Sequence, residues 1–71
     1  MTVLFNTNQI LRPGMTVRIL YPIYALGETG EILSREVIAE EGPSDYWLVK
    51  VFGERMVLAL SPSEFQVIAA G

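Results

Sequence analysis

"YWLVKVFGERMVLAL", residues 46–60, decides how this chain folds. In residues 46–51 nearly every side chain favours a pleated sheet, and Trp47, Val49 and Val51 alternate with Leu48 and Lys50. A period of two is the mark of a strand with unlike faces. Phe52, Gly53 and Glu54 then make a short turn in which Gly53 supplies a positive φ, so residues 55–60 return as the second arm of a β-hairpin. Alternation assigns Trp47, Val49 and Val51 to the core and turns Leu48 and Lys50 outward. On the returning strand Met56, Leu58 and Leu60 share one face, and Arg55, Val57 and Ala59 share the other. Both faces are largely apolar. An outward side carrying Leu48, Val57 and Ala59 suits a subunit that docks or self-associates, although a strand covered on both faces reads the same way.

Working outward, the remaining pieces are equally short. Pro13-Gly14, Pro22, Gly27, Gly30, Gly42-Pro43, Gly53 and Pro62 divide the chain at close intervals, as expected of several strands joined by tight turns. Residues 15–20, "MTVRIL", alternate Met15, Val17 and Ile19 with Thr16, Arg18 and Leu20 and read as a half-buried strand. Residues 29–38, "TGEILSREVI", give a second strand with Ile32 on one face and Glu31, Leu33 and Arg35 on the other. An α-helix competes only over residues 32–41, between Gly30 and Gly42. Residues 39–45, "AEEGPSD", have the composition of a loop. Residues 61–65, "SPSEF", open a single helical or 3₁₀ turn, and "FQVIA" closes as a last strand. Residues 1–10 are an N-terminal arm or an extra edge strand, leaving residues 11–71 for the domain. Five short strands lack core area unless they curl into a small barrel, which also removes their edges.

Composition narrows the chemistry. The chain has 71 residues, enough for one domain, and 51% of them are hydrophobic. A domain this small hides only about 60% of the surface its unfolded chain exposes, so part of that apolar content is left to meet a partner. Cysteine and histidine are absent, which excludes disulfides and thiolate chemistry and removes the usual general base and metal ligand. The net charge is −3, and Arg12, Arg18, Arg35, Lys50 and Arg55 are scattered singly among acids. Nucleic acid is therefore a poor partner, since phosphate neutralisation calls for a basic stripe. Glu40, Glu41 and Asp45 lack the spacing of a calcium loop, and the "GETG" turn has neither the Lys-Ser/Thr nor the helix that completes a phosphate loop. No cofactor or metal is expected. The start of the chain lacks a secretory signal, no run is long enough to span a bilayer, and a cytoplasmic location is the default.

The series "PGMTVRIL", "GETGEI", "YWLVKV" and "LALSPSEFQVI", over roughly residues 11–68, resembles the SH3-like barrel superfamily. The strand after the Pro-Gly turn stands where that superfamily usually has Gly-Asp and a V-x-V strand. "SPSEFQVI" resembles the Pro-Ser-Asn-Tyr signature that carries its 3₁₀ turn. Phe65 stands in place of that tyrosine, and the Ala-Leu-Tyr-Asp-Tyr motif is missing, which speaks against proline-peptide recognition. The resemblance implies an all-β, five-stranded SH3-like barrel with one 3₁₀ turn before the last strand. In length and acidity the chain is most similar to small bacterial and cyanobacterial barrel subunits, such as the small barrel chain of photosystem I, the variable chain of ferredoxin–thioredoxin reductase and the ferredoxin-binding subunit of photosynthetic NDH. Those proteins are not catalysts but docking subunits. The scaffold role carries over to this chain; the ferredoxin contact does not, because the chain has no basic patch.

Residues 21–30, "YPIYALGETG", form the connection after the first strand. Tyr21 and Tyr24 have two placements open to them: folded inward as a cap on the core, or turned outward beside Trp47 and Phe52 as an aromatic patch. Tyr24 and Leu26 are assigned to the core, and Tyr21 stays open between the two. The functional expectation is a non-catalytic protein–protein interaction module, an accessory subunit of a larger complex or a homo-oligomer, with Tyr21, Tyr24, Leu48, Phe52 and Val57 as its partner-binding candidates. The alternatives are an RNA-associated barrel of the KOW type, which requires Arg12, Arg18 and Arg35 to converge, and a barrel that takes proline-rich peptide on Tyr21, Tyr24 and Trp47.

Overall fold

The computed structural model describes residues 10–70. The expected arm or extra strand over residues 1–10 lies, apart from Ile10, outside them. Five antiparallel strands make one sheet: β1 (Thr16–Ile19), β2 (Thr29–Ile38), β3 (Gly42–Val51), β4 (Val57–Leu60) and β5 (Phe65–Ala69), in the spatial order β4-β3-β2-β1-β5. One 3₁₀ turn, Pro62–Glu64, precedes β5, as the sequence predicts. Another, Ile23–Ala25, was not anticipated. No α-helix occurs among the described residues, so the competing helix over residues 32–41 is resolved in favour of strand. None of the described helical segments is long and apolar enough to cross a membrane.

The core consists of Met15, Val17, Ile19, Ala25, Ile32, Val49, Val51, Leu60 and Phe65, with Leu11, Trp47, Met56, Leu58 and Val67 packed against it. The inward set on β1, β3 and β4 is the one that alternation assigns, whereas the expectation that Arg35 faces away from Ile32 is corrected: they pair with Trp47 and Val49, two residues of one face of β3, because the register shifts at Leu33. Leu60 and Phe65 belong to the two edge strands yet bury in the same core, so the sheet curls until its edges face each other. The turn between them keeps them together. Pro62 stands at its first position, where its fixed φ suits the turn and its missing N–H costs nothing, and the Ser61 N–H donates to the Glu64 carboxylate at 2.9 Å.

Register irregularities supply the curl. Leu33 is an extra residue between the Ile32↔Val49 and Ser34↔Leu48 pairs, and Ile68 is extra between the Val17↔Val67 and Thr16↔Ala69 pairs. Such bulges bend the strand and raise its twist. The inward row Val67–Val17–Gly30–Val51 crosses four strands. At Gly30 a Cβ would lie 2.5 Å from the Lys50 carbonyl oxygen and 2.9 Å from a Val49 methyl. Only a residue without a side chain lets β2 and β3 approach so closely there.

One expectation is corrected. Residues 39–45 are not all loop: the turn is confined to residues 39–41, and β3 starts at Gly42. Glu40 (φ 73°) and Gly42 (φ 88°) reverse the chain tightly, and the Glu41 N–H donates to the Ile38 carbonyl at 3.0 Å. Gly42 and Pro43 are then drawn into the ladder opposite Ile38 and Val37, and the register shifts between Val37 and Arg35. The hairpin turn at Gly53 (φ 79°) is as expected, closed by the Val51 N–H on the Met56 carbonyl at 3.0 Å.

Gly30→Ala should destabilise the fold by about 1–3 kcal/mol, as overpacking against backbone does. At about 4–8 °C per kcal/mol for a domain of this size, thermal unfolding followed by circular dichroism will register it, and an unchanged Tm would remove Gly30 from its assigned role.

Candidate functional site

The connection of residues 20–28 is a closed, anchored loop. Its ends meet where the Gly27 N–H donates to the Ile19 carbonyl and the Ile19 N–H donates to the Glu28 carbonyl, each at 2.8 Å. Inside, the Ala25 N–H donates to the Pro22 carbonyl (2.9 Å), the Leu26 N–H to the Ile23 carbonyl (3.2 Å) and the Glu28 N–H to the Ala25 carbonyl (3.0 Å). The Tyr21–Pro22 peptide is cis. The first residues are tied to the turn before β5, with the N–H groups of Leu20 and Tyr21 both donating to the Glu64 carbonyl at 2.9 and 3.2 Å. A loop with this many internal bonds is a formed surface rather than a tether.

This backbone decides which side chains face out. Ala25 is buried, whereas Ile23 is 79% exposed, Tyr24 71%, Tyr21 59% and Leu26 57%. The assignment of Tyr24 and Leu26 to the core is therefore corrected. A 3₁₀ turn has about three residues per turn, so one of its three positions faces the sheet. Here that position is Ala25, the one residue small enough to sit where the loop is pinned against Ile19. Tyr21, left open by the sequence, is outward.

The other candidates lie on the outer face of the sheet. Leu48 pairs with Ala59 and Lys50 with Val57, and paired residues project to the same side. Phe52 extends that face past Lys50, and its N–H donates to the Thr29 carbonyl at 3.0 Å, next to the point where the connection enters β2. Val57 and Phe52 are exposed and Leu48 is half-buried. The outer face is thus continuous across β3 and β4, with Lys50 in its middle. Trp47 is half-buried against the core.

Sequence reasoning missed Ile23, which follows from the unforeseen 3₁₀ turn. It also missed Val37, Ile38 and Tyr46, exposed at the far end of the β2–β3 hairpin. The cations do not gather. Arg18 pairs with Thr29 and Gln66 in the body of the sheet. Arg35 lies at the far end of β2, its guanidinium carbon 5.8 Å from the centre of the Trp47 ring, its Nε donating to the Ser44 carbonyl at 2.6 Å and a terminal nitrogen 3.7 Å from Asp45. Among the described residues no group of histidine, cysteine, aspartate or glutamate side chains could hold a metal.

Because Tyr21 is anchored through its backbone and its ring contributes little to the interior, Tyr21→Ala should change stability by no more than about 0.5 kcal/mol. Ala25→Leu should unseat the loop and cost about 1–3 kcal/mol, as overpacking does. Denaturant melts of the two variants check the pair, and the reverse order of effects would mean that the loop is seated on Tyr21. Comparison of the chain with protein-family models, with characterised proteins and with solved structures finds no match in any of the three.

Proposed function

We propose that this chain is a non-catalytic protein–protein interaction module, a small accessory or regulatory subunit that docks on a larger complex through the connection of residues 20–28 and the adjoining outer face of β3 and β4. One observation carries the reading. Tyr21, Ile23, Tyr24 and Leu26 are all exposed on a loop whose backbone is bonded internally and anchored at both ends. Apolar side chains already held outward lose little freedom when a partner covers them, so more of the burial energy is left for affinity. Tyrosines add rigid contact area with a hydroxyl that tolerates water at the rim.

The strand count and the 3₁₀ turn before β5 support kinship with the SH3-like barrels. Through that kinship they support a role like that of the small cytoplasmic accessory barrels of photosynthetic electron transport. Two features weigh against the RNA-associated alternative: the cations are dispersed, and Arg35 is engaged with Trp47, Ser44 and Asp45. A proline-rich peptide remains a second reading because Tyr21 is held beside the turn before β5, and extended proline helices dock on exposed aromatics.

The test compares the wild-type protein with Ile23→Ser/Tyr24→Ala as immobilised baits in native lysate, alongside heparin and a proline-rich peptide array. Proteins held by the wild type should be lost from the double variant by on the order of tenfold or more, as two contact side chains at the centre of an interface would imply, with Tm unchanged. The same proteins held equally by both baits would refute the assigned surface. Retention on heparin at low salt, or saturable array binding, would replace the reading with one of its alternatives.

A further inference from the structure

β2 and β3 outrun the rest of the sheet. β1 is paired to β2 through Glu31, followed by bonds from the Ile32 N–H to the Met15 carbonyl at 2.9 Å and from the Gly14 N–H to the Ile32 carbonyl at 2.8 Å, and β4 reaches along β3 only to Trp47. Among the described residues, 33–38 and 42–46 therefore form a two-stranded ribbon that no third strand covers. Leu33, Val37, Ile38 and Tyr46 are exposed on it. Two strands alone are marginally stable in water, and this ribbon is braced by its own side chains. Arg35 covers the Trp47 ring and bonds the Ser44 carbonyl, while the Ser44 hydroxyl donates to Glu36 and accepts from the Tyr46 N–H, both at 2.9 Å.

The charge of the chain is concentrated here. Glu36, Glu40, Glu41 and Asp45 are four of its eight carboxylates, and Arg35 is one of its five cations, so residues 35–45 account for the whole net charge of −3. The other four acids and four bases cancel. Arg35 is already engaged within the ribbon, and among the described residues no cation pairs with Glu40 or Glu41. Exposed apolar side chains, Val37 and Ile38 on opposite faces among them, and uncompensated carboxylates thus occupy the same ribbon.

That combination selects the occupant. A second copy laid ribbon against ribbon would bring the same negative charge to the contact, and an anionic lipid surface or a nucleic acid would be repelled in the same way. A positively charged segment with interspersed apolar side chains meets both features. We infer that residues 33–46 are a docking ribbon for a cationic, apolar-bearing segment of another protein. It is a surface distinct from the connection of residues 20–28, because nine residues of β2 put its far end about 30 Å from the connection. Apolar contacts on Val37, Ile38 and Tyr46 hold the segment, and the carboxylates steer it.

Trp47 is the single tryptophan of the chain and stands at the base of this ribbon, under Arg35, so its emission reads occupancy. The probes are a synthetic peptide of alternating lysine and leucine and its glutamate–leucine counterpart. The lysine peptide should shift the emission saturably and the glutamate peptide should not. Raising ionic strength from about 20 mM to about 500 mM should weaken binding on the order of tenfold, because screening shortens the reach of the carboxylates. Glu40→Gln/Glu41→Gln should weaken it severalfold at low salt and flatten the salt dependence, and Val37→Ser should weaken it at all salt concentrations, with circular dichroism unchanged in both. Three results would overturn the inference: no saturable shift, equal affinity for both peptides, or a double variant that binds as tightly as the wild type. Sedimentation showing a wild-type dimer that Val37→Asp dissociates would assign the ribbon to a second copy instead.

Discussion

At Gly30 the sheet comes so close to itself that a single methyl group would strike the Lys50 carbonyl. This close approach lies in the inward row between Val17 and Val51, and around it the described residues bury a core of nine apolar side chains. A chain in which 51% of the residues are hydrophobic cannot place them all inside so small a curl, and the surplus must go where backbone geometry holds it stably in contact with water.

Two places display several of these side chains together, by different means. In the connection of residues 20–28 the loop closes on Ile19, and a buried alanine is its only seat on the core. The large side chains beside Ala25 then have nowhere to go but outward. In the β2–β3 ribbon the strands continue past the residues that β1 and β4 cover, and a stacked arginine and a serine hold them together across a register shift. Apolar side chains are displayed in both, but their electrostatics differ. The connection belongs to a region whose charges cancel, while the ribbon carries the net charge of the chain. Contact at the first should depend little on salt and contact at the second strongly. On the proposed function, these two surfaces would hold two different elements of an assembly.

Much of the fold was legible because burial is one-sided. The alternation of Met15, Val17 and Ile19, and of Trp47, Val49 and Val51, reports directly which face is covered, and the punctuation by Gly53 and Pro62 marks the turns. Residues 42–45 were illegible because Gly-Pro-Ser-Asp has the composition of a loop. What braces them against β2 is a side chain nine residues away, Arg35 on the Ser44 carbonyl, and no local pattern records it. The bulge at Leu33 is hidden for the same reason, since it is a property of the pair β2–β3. The outward turn of Tyr24 and Leu26 depends on the phase of a three-residue helix. A lone alanine between bulky neighbours, framed by Pro22 and Gly27, was the available signal for it.

The central claim is that the connection of residues 20–28 is a preformed surface, with its apolar side chains displayed before any partner arrives. Amide hydrogen exchange read residue by residue tests it most directly. The Ile19, Ala25, Gly27 and Glu28 amides should be protected to a degree approaching those of β2 and β3, because each donates a bond that closes or braces the loop. Exchange of Ala25, Gly27 and Glu28 at the rate of an unstructured chain, with the strands still protected, would contradict it.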